Sequence, residues 1–256
     1  MRPNSMKSTG TGGERFHPAE PFLRRLDIAR EKIDNWNDYP FNIPAIRQLS
    51  LLPFDSPVTF LIGENGSGKS TLIEAIAMRA GFNPEGGSKN FRSTHRPSES
   101  TLRDYVRLIR GARREATGFF LRAETMFNVS TEAAEYVEYG WADLHAMSHG
   151  EAFLWVAMNR FHSNGLYILD EPESALSPQR QLALLSRINQ LVEAGSQFII
   201  STHSPILMAY PNATIYHLDS TGIQPMRYEE TEHYSVTRAF LSDPARMLRT
   251  LFDDDD

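Results

Sequence analysis

The residues best suited to chemistry begin at Gly63. There Gly63-Glu64-Asn65-Gly66-Ser67-Gly68-Lys69-Ser70-Thr71 joins the β-branched and aromatic run Val58–Ile62 to Leu72–Met78, which has helical spacing. Strand, glycine loop, helix is the context a phosphate-binding loop requires. From Asn65 through Gly66, Ser67 and Gly68 to Thr71 the backbone N–H groups can turn onto a phosphate, and the helix N-terminus adds partial positive charge. Lys69 brings a full charge to the β- and γ-phosphates, and the Ser70 hydroxyl is placed to bind Mg²⁺. About a hundred residues further on, the apolar run Leu166–Leu169 leads into Asp170-Glu171-Pro172. A carboxylate just past a buried strand falls where doubly wound sheets bind their ligands. Asp170 suits Mg²⁺, and Glu171 suits a general base that orients an attacking water. Both elements point to one nucleoside triphosphate.

The elements that must position these groups follow from periodicity. Strand 58–62, helix 70–80 with Gly81 as its C-cap, strand 118–124, strand 166–169, helix 179–193, strand 198–200 and strand 214–218 alternate. Alternating strands and helices imply βαβ units and a mostly parallel sheet covered by helices, an α/β fold. Residues 22–34 fit a strand or a short helix, and 39–46 reads as extended because each Pro disfavours helix in its predecessor. Ser98–Ala116 and 131–138 have helical patterns, and Ser148-His149-Gly150-Glu151 opens another helix. In helix 179–193 the expected inward residues are Leu182, Leu184, Leu185, Ile188, Leu191 and Val192.

Composition narrows the class. The chain has 256 residues, 41% of them hydrophobic and 23% charged, enough for one large domain with a substantial core. No run reaches the roughly 18 apolar residues of a membrane-spanning helix, and the first residues do not read as a secretory signal. The absence of cysteine excludes disulfides and thiolate metal sites and is compatible with a cytoplasmic location. A net charge of −6 argues against a general nucleic-acid footprint. Arg103, Arg107, Arg110, Arg113 and Arg114 read as the solvated face of a helix. Residues 1–18 and the acidic tail 253–256 are expected to be disordered.

The motif order resembles the ABC-type ATPases. Gly63–Thr71 resembles their Walker A motif, and Leu166–Glu171 their Walker B with catalytic glutamate. Ser174-Ala175-Leu176-Ser177 resembles the D-loop, Ser201-Thr202-His203-Ser204 the switch-histidine loop, and Ser148–Glu151 the signature. The resemblance implies a P-loop NTPase fold of ABC type in which ATP is sandwiched in a head-to-tail dimer. Ser148 and Gly150 of the partner would meet the γ-phosphate that His203 senses. It further implies Glu124 as a contact to Mg²⁺ or its water, and Tyr39 or Phe41 as the adenine-stacking aromatic. Departures are His149 and Glu151 in the signature, and Ser177 where most D-loops carry Asp.

The interval from Glu124 to Ser148 is short for the helical subdomain of transporter ATPases, so that subdomain, about 98–160 within a domain of 19–252, is expected to be reduced. Lys69 and Ser148 lie about eighty residues apart with no heptads, which leaves no room for the coiled-coil arm of chromosome-maintenance relatives. Residues 39–251 resemble small stand-alone bacterial ATPases related to those of DNA repair and phage defence. Three readings follow: a soluble ATP-hydrolysing dimer that clamps a nucleic acid or partner protein, the energy-coupling subunit of a transporter, and a non-hydrolysing ATP-dependent binding module. The first is the leading expectation, with a membrane partner disfavoured.

Overall fold

The computed structural model describes residues 20–89, 101–134 and 140–253. A seven-stranded sheet forms the centre, in the order β10-β9-β3-β8-β7-β6-β4. Its strands are β3 (Val58–Ile62), β4 (Gly87–Ser88), β6 (Thr117–Arg122), β7 (Gly165–Asp170), β8 (Gln197–Ser201), β9 (Thr214–Asp219) and β10 (Gly222–Pro225). The five inner strands β9, β3, β8, β7 and β6 run parallel, and the two edge strands pair antiparallel. Strands buried on both faces explain why 58–62, 166–169 and 198–200 read as unbroken apolar runs.

Alternate residues of each strand feed two cores. Leu61, Phe120, Ile168 and Ile199 face α2 (Lys69–Ala80) and a second, antiparallel sheet of β2 (Leu51–Pro53), β1 (Leu23–Ile28) and β5 (Val106–Arg110). Phe60, Leu121, Tyr167, Leu169 and Ile200 face the other layer. That layer is built from α4 (Met126–Ala134), α5 (His149–Arg160), α6 (Pro178–Glu193) and α7 (Pro205–Met208). One buried side chain joins the small sheet to the large one. The Gln197 amide donates to the Leu23 carbonyl and accepts from its N–H, at 2.8 and 2.9 Å.

Several sequence expectations change. The helical pattern from Ser98 to Ala116 resolves into a single turn, α3 (Leu102–Tyr105), followed by strand β5, while 98–100 lies outside the described residues. Antiparallel pairing of β5 with β1 overrides the helical spacing. Arg103 stays on α3, and the other four arginines stand on the strand and its turn, each engaged within the chain. Arg107 pairs with Glu31, Arg110 with Glu115, and Arg113 stacks over Phe22 and donates to Asn164. The 39–46 stretch is not wholly extended. Pro44 starts the short helix α1 (Pro44–Gln48), its fixed φ suiting the first turn.

Leu182 is exposed rather than inward. Residues 22–34 form β1 and a 3-10 turn, and 131–138 is helical to Ala134, with 135–139 outside the described residues. Residues 1–18 and 254–256 also lie outside them, and Asp253 closes α9 (Pro244–Asp253). The stretch 98–160 contains strands β5 and β6 as well as helices. The helical pair α8 (Glu232–Ser242) and α9, absent from the sequence expectations, ends the described chain with Leu241, Leu251 and Phe252 exposed.

Candidate active site at the carboxyl ends of the parallel strands

Because β3, β8 and β7 are parallel neighbours, their carboxyl ends share one sheet edge, where open α/β sheets bind ligands. The phosphate loop leaves β3, the 201–204 loop leaves β8, and Asp170-Glu171 leaves β7. The edge opens into a pocket of about 760 Å³ lined in part by Glu64, Asn65, Glu171, Ser174 and His203.

Gly68 holds φ at +99°, a left-handed conformation that β-carbon crowding disfavours, and the first turn of α2 starts immediately after it. This geometry aims the first helical N–H groups at the loop interior. Lys69 is buried, its Nζ hooked onto the Gly63 and Glu64 carbonyls at 2.8 and 3.0 Å. Burial lowers its pKa, opposed by the carboxylates of Glu171, Asp170 and Glu173. Within the same loop the buried Ser67 hydroxyl has no hydrogen-bond partner among the described residues. Buried polar groups are nearly always satisfied, so an orphan inside a phosphate loop fits an anion that completes it.

The donor set for a divalent cation is made of hard oxygens. The Ser70 hydroxyl donates to Asp170 Oδ1 at 3.4 Å, and Asp170 is 5% exposed. A hydroxyl and a carboxylate at this spacing fit Mg²⁺. Burial pushes the Asp170 carboxyl up to about 6, although the nearby Arg122 guanidinium favours its ionised form. Arg122 is the group that sequence reasoning passed over. It ends β6 in register with Asp170, lies 3.3 Å from Asp170 Oδ2, and donates to Glu74 of α2 at 2.9 Å. Glu124 extends into solvent with its carboxylate 3.9 Å from the Arg122 guanidinium.

Glu171 sits at φ +48°, ψ +52°, in the left-handed region that a non-glycine residue occupies at a cost of order 1 kcal/mol. That turn lifts its carboxylate off the strand axis to within 3.6 Å of His203 Nε2. Glu173, a second residue missed from sequence, is mostly buried. It accepts from the Thr202 hydroxyl at 2.7 Å and from the His203 backbone N–H, which ties the end of β7 to the loop after β8. Burial raises its pKa, and these hydrogen bonds oppose the rise. The signal was present as Asp-Glu-Pro-Glu. Its meaning depends on β8 lying beside β7.

Of the two aromatics considered for adenine, Phe41 is buried edge-on against Trp36 and Tyr105, whereas Tyr39 is exposed. Its hydroxyl lies 3.1 Å from the Thr71 hydroxyl, beside the start of α2.

Ser148 and Gly150 lie elsewhere. Ser148 caps α5 in a reciprocal capping box with Glu151, whose carboxylate accepts from the Ser148 N–H at 3.0 Å and hydroxyl at 2.7 Å. Glu151 also accepts from Arg180 at 3.0 Å. Gly150 is packed so closely on the 174–177 loop that an added β-carbon would sit 2.2 Å from the Ala175 carbonyl oxygen. Ser177 caps α6, a service that Asp performs equally well. None of residues 148–151 lines the nucleotide-side pocket.

A phosphate loop leading into α2, a Ser/Asp pair and a carboxylate–histidine pair meet at the carboxyl edge of a parallel sheet, the arrangement of a P-loop nucleotide fold. Comparison with known proteins narrows the class. A family model described as "AAA domain" matches residues 32–139. A second, described as "AAA domain, putative AbiEii toxin, Type IV TA system", matches 144–209. The ABC-type transporter ATP-binding protein EcsA of Bacillus subtilis is 26% identical over 178 residues, covering 62% of this chain and 71% of that protein. The energy-coupling factor transporter ATP-binding protein EcfA2 of Methanospirillum hungatei is 25% identical over 204 residues, covering 68% of this chain and 48% of that one. The solved structure of cbiO1 from Clostridium perfringens, part of the ABC transporter complex cbiONQ, has the same fold. It superposes with a TM-score of 0.50 at 14% identity, covering 91% of this chain and all of that one. The chain has the fold of the ABC-type P-loop ATPases, and its sequence is similar to their ATP-binding proteins at 25–26% identity. No helix among the described residues is long and apolar enough to cross a membrane.

Proposed function

We propose that the chain hydrolyses Mg-ATP as a head-to-tail dimer whose closing and opening acts on a nucleic acid or a partner protein in the cytoplasm. The observation that carries this reading is a division within one chain. The phosphate loop, Glu171 and His203 converge on a single pocket, while Ser148 and Gly150 line none of it. A second copy would bring its Ser148 and Gly150 N–H, at the N-terminus of α5, to the open side of that pocket, an arrangement suited to a phosphate.

The residues then divide the work. Asn65 through Thr71 surround the phosphates, and Lys69 leaves the Gly63 and Glu64 carbonyls to pair with β- and γ-oxygens. Ser70 and Asp170 would hold the cation, Glu124 would contact it or its water, and Tyr39 would offer a face to adenine. Mg²⁺, when bound, neutralises charge developing between the β- and γ-phosphates. Glu171 accepts the proton of the attacking water, and His203 Nε2, without a hydrogen-bond partner among the described residues, hydrogen-bonds a γ-oxygen.

Phosphate release from Mg-ATP, measured for wild type, Lys69→Ala and Glu171→Gln, tests the chemistry. Turnover in the wild type and its loss in both variants is expected. Light scattering of Glu171→Gln with Mg-ATP tests the dimer, and a variant that stays monomeric at saturation refutes it. The names of EcsA and EcfA2 favour a second reading, the energy subunit of a transporter. Co-purification with a membrane protein from native cells would select that reading.

A further inference from the structure

Helix α8 carries a histidine that no motif of the nucleotide site requires. His233 Nε2 lies 3.1 Å from His203 Nδ1, with the rings 5.3 Å apart and tilted by 54°. Together with Glu232, Val236 and Thr237 it closes one side of the nucleotide-side pocket. The placement is anchored. Thr231, fully buried, caps α8 and donates to the Tyr228 carbonyl at 2.8 Å. Tyr228 in turn donates to the Pro205 carbonyl at 2.9 Å, two residues beyond His203. The segment after β10 thus folds back onto the loop that holds the switch histidine.

A nitrogen–nitrogen hydrogen bond between imidazoles needs one donor and one acceptor. If His203 Nδ1 donated, its Nε2 would be a bare lone pair facing the Glu171 carboxylate at 3.6 Å and unable to donate to a phosphate. If His233 Nε2–H donates, His203 keeps its proton on Nε2, directed at Glu171 and at the place of the γ-phosphate. The second arrangement pairs His203 Nδ1 and leaves its Nε2–H facing the Glu171 carboxylate and free to donate to a ligand. Around His203 the facing groups are Glu171 and Glu173 from the end of β7, Lys69 from the phosphate loop, and Glu232 and His233 from α8. Burial lowers the pKa of both histidines, consistent with a pair of neutral rings.

We propose that His233 is a positioning residue for ATP hydrolysis: it donates to His203 Nδ1, holds the switch histidine as its Nε2–H tautomer, and so makes turnover depend on where α8 lies. This rests on the ATPase reading above. The hydrogen bond itself does not, which allows the two to be tested separately.

Long-range proton–nitrogen correlation on protein labelled with ¹⁵N-histidine, without nucleotide, reports the tautomer. His203 is expected as a single Nε2–H tautomer in wild type and as an averaged pair in His233→Ala. In steady state His233→Ala should lose about tenfold or more in kcat, the usual scale for an orienting partner, with KM for ATP changed by less than about threefold. His233→Gln, which retains an N–H donor, should restore most of that loss, and His233→Phe should not. Circular dichroism and thermal melting check that each variant folds. An unchanged His203 tautomer in His233→Ala overturns the proposal. So does turnover within about twofold of wild type, or faster turnover, which would make α8 a cover. If wild type shows no turnover, the ATPase reading fails and the nitrogen spectra still decide the hydrogen bond.

Discussion

Replacing Arg122 by Met should destabilise the nucleotide-free protein more than any other single change near the site. Its guanidinium, 15% exposed on the side chain, lies between the Glu74 carboxylate at 14% and the Asp170 carboxylate at 5%. Methionine fills a similar volume and leaves two nearly buried carboxylates without their cation. Removing one partner of a buried ion pair costs roughly 3–5 kcal/mol. The rim of the pocket admits some water, so we expect the lower end, about 3 kcal/mol, or a fall of about 6–12 °C in Tm for a chain of this size. Urea unfolding followed by circular dichroism measures the first, and a thermal melt the second.

The double variant Glu74→Gln/Arg122→Met should recover part of the loss, because one stranded charge is then removed. The pH dependence has a definite sign. Asp170 has a folded-state pKa raised to about 6, above its unfolded value, so its ionisation costs stability as pH rises through that range. Losing Arg122 raises that pKa further, so the deficit tied to Asp170 is full above the variant's raised pKa, shrinks as pH falls from there toward about 6, and is largely gone below that, where both proteins carry the proton. A loss under about 1 kcal/mol at neutral pH, the level of an exposed pair, would refute the reasoning.

Three further outcomes follow from the packing. Gly150→Ala drives a β-carbon to 2.2 Å from the Ala175 carbonyl oxygen and should cost about 1–3 kcal/mol by forcing α5 off the 174–177 loop, seen as a lower urea midpoint. Gln197→Ala strands both backbone groups of Leu23 in the core and should cost about 3 kcal/mol, whereas an exposed Gln would cost almost nothing. Ser148→Ala removes half of the capping box and should cost about 1 kcal/mol in melting experiments without nucleotide, whatever it does to turnover.

The parts of the site legible in the sequence are those whose chemistry is contiguous. Gly63–Thr71 carries its own strand, turn and helix start, and Asp170-Glu171 follows an apolar run that only a buried strand explains. Arg122, Glu173 and His233 were illegible as site residues because each acquires its partner through strand order. Arg122 meets Asp170 because β6 pairs with β7, and Glu173 meets His203 because β8 lies between β3 and β7. His233 arrives from a helix with no buried residue, so no apolar pattern marked it. The misassigned helix at 98–116 has an equally specific cause. Leu102, Val106 and Ile109 match the helical spacing i, i+4, i+7, and only the antiparallel partner β1, some eighty residues earlier, makes 106–110 a strand.

The contact between Gly150 and Ala175 bears on how two sites in the proposed dimer could act together. Ala175 closes the 3-10 turn that begins directly after Glu171, and the Ser174 N–H and hydroxyl both bond the Glu171 carbonyl, at 3.1 and 2.8 Å. The backbone of Glu171 is therefore hydrogen-bonded into the turn on which Gly150 rests. In the proposed dimer, a shift of Glu171 on ATP binding would press through that turn on the start of α5, where there is no room for even a β-carbon. The Arg180–Glu151 ion pair holds the same two elements from the solvent side. Within one chain, the proposed general base and the residues proposed to meet the partner's phosphate are joined through the 172–175 turn. Closure at one composite site would therefore be felt at the other without a long path through the protein.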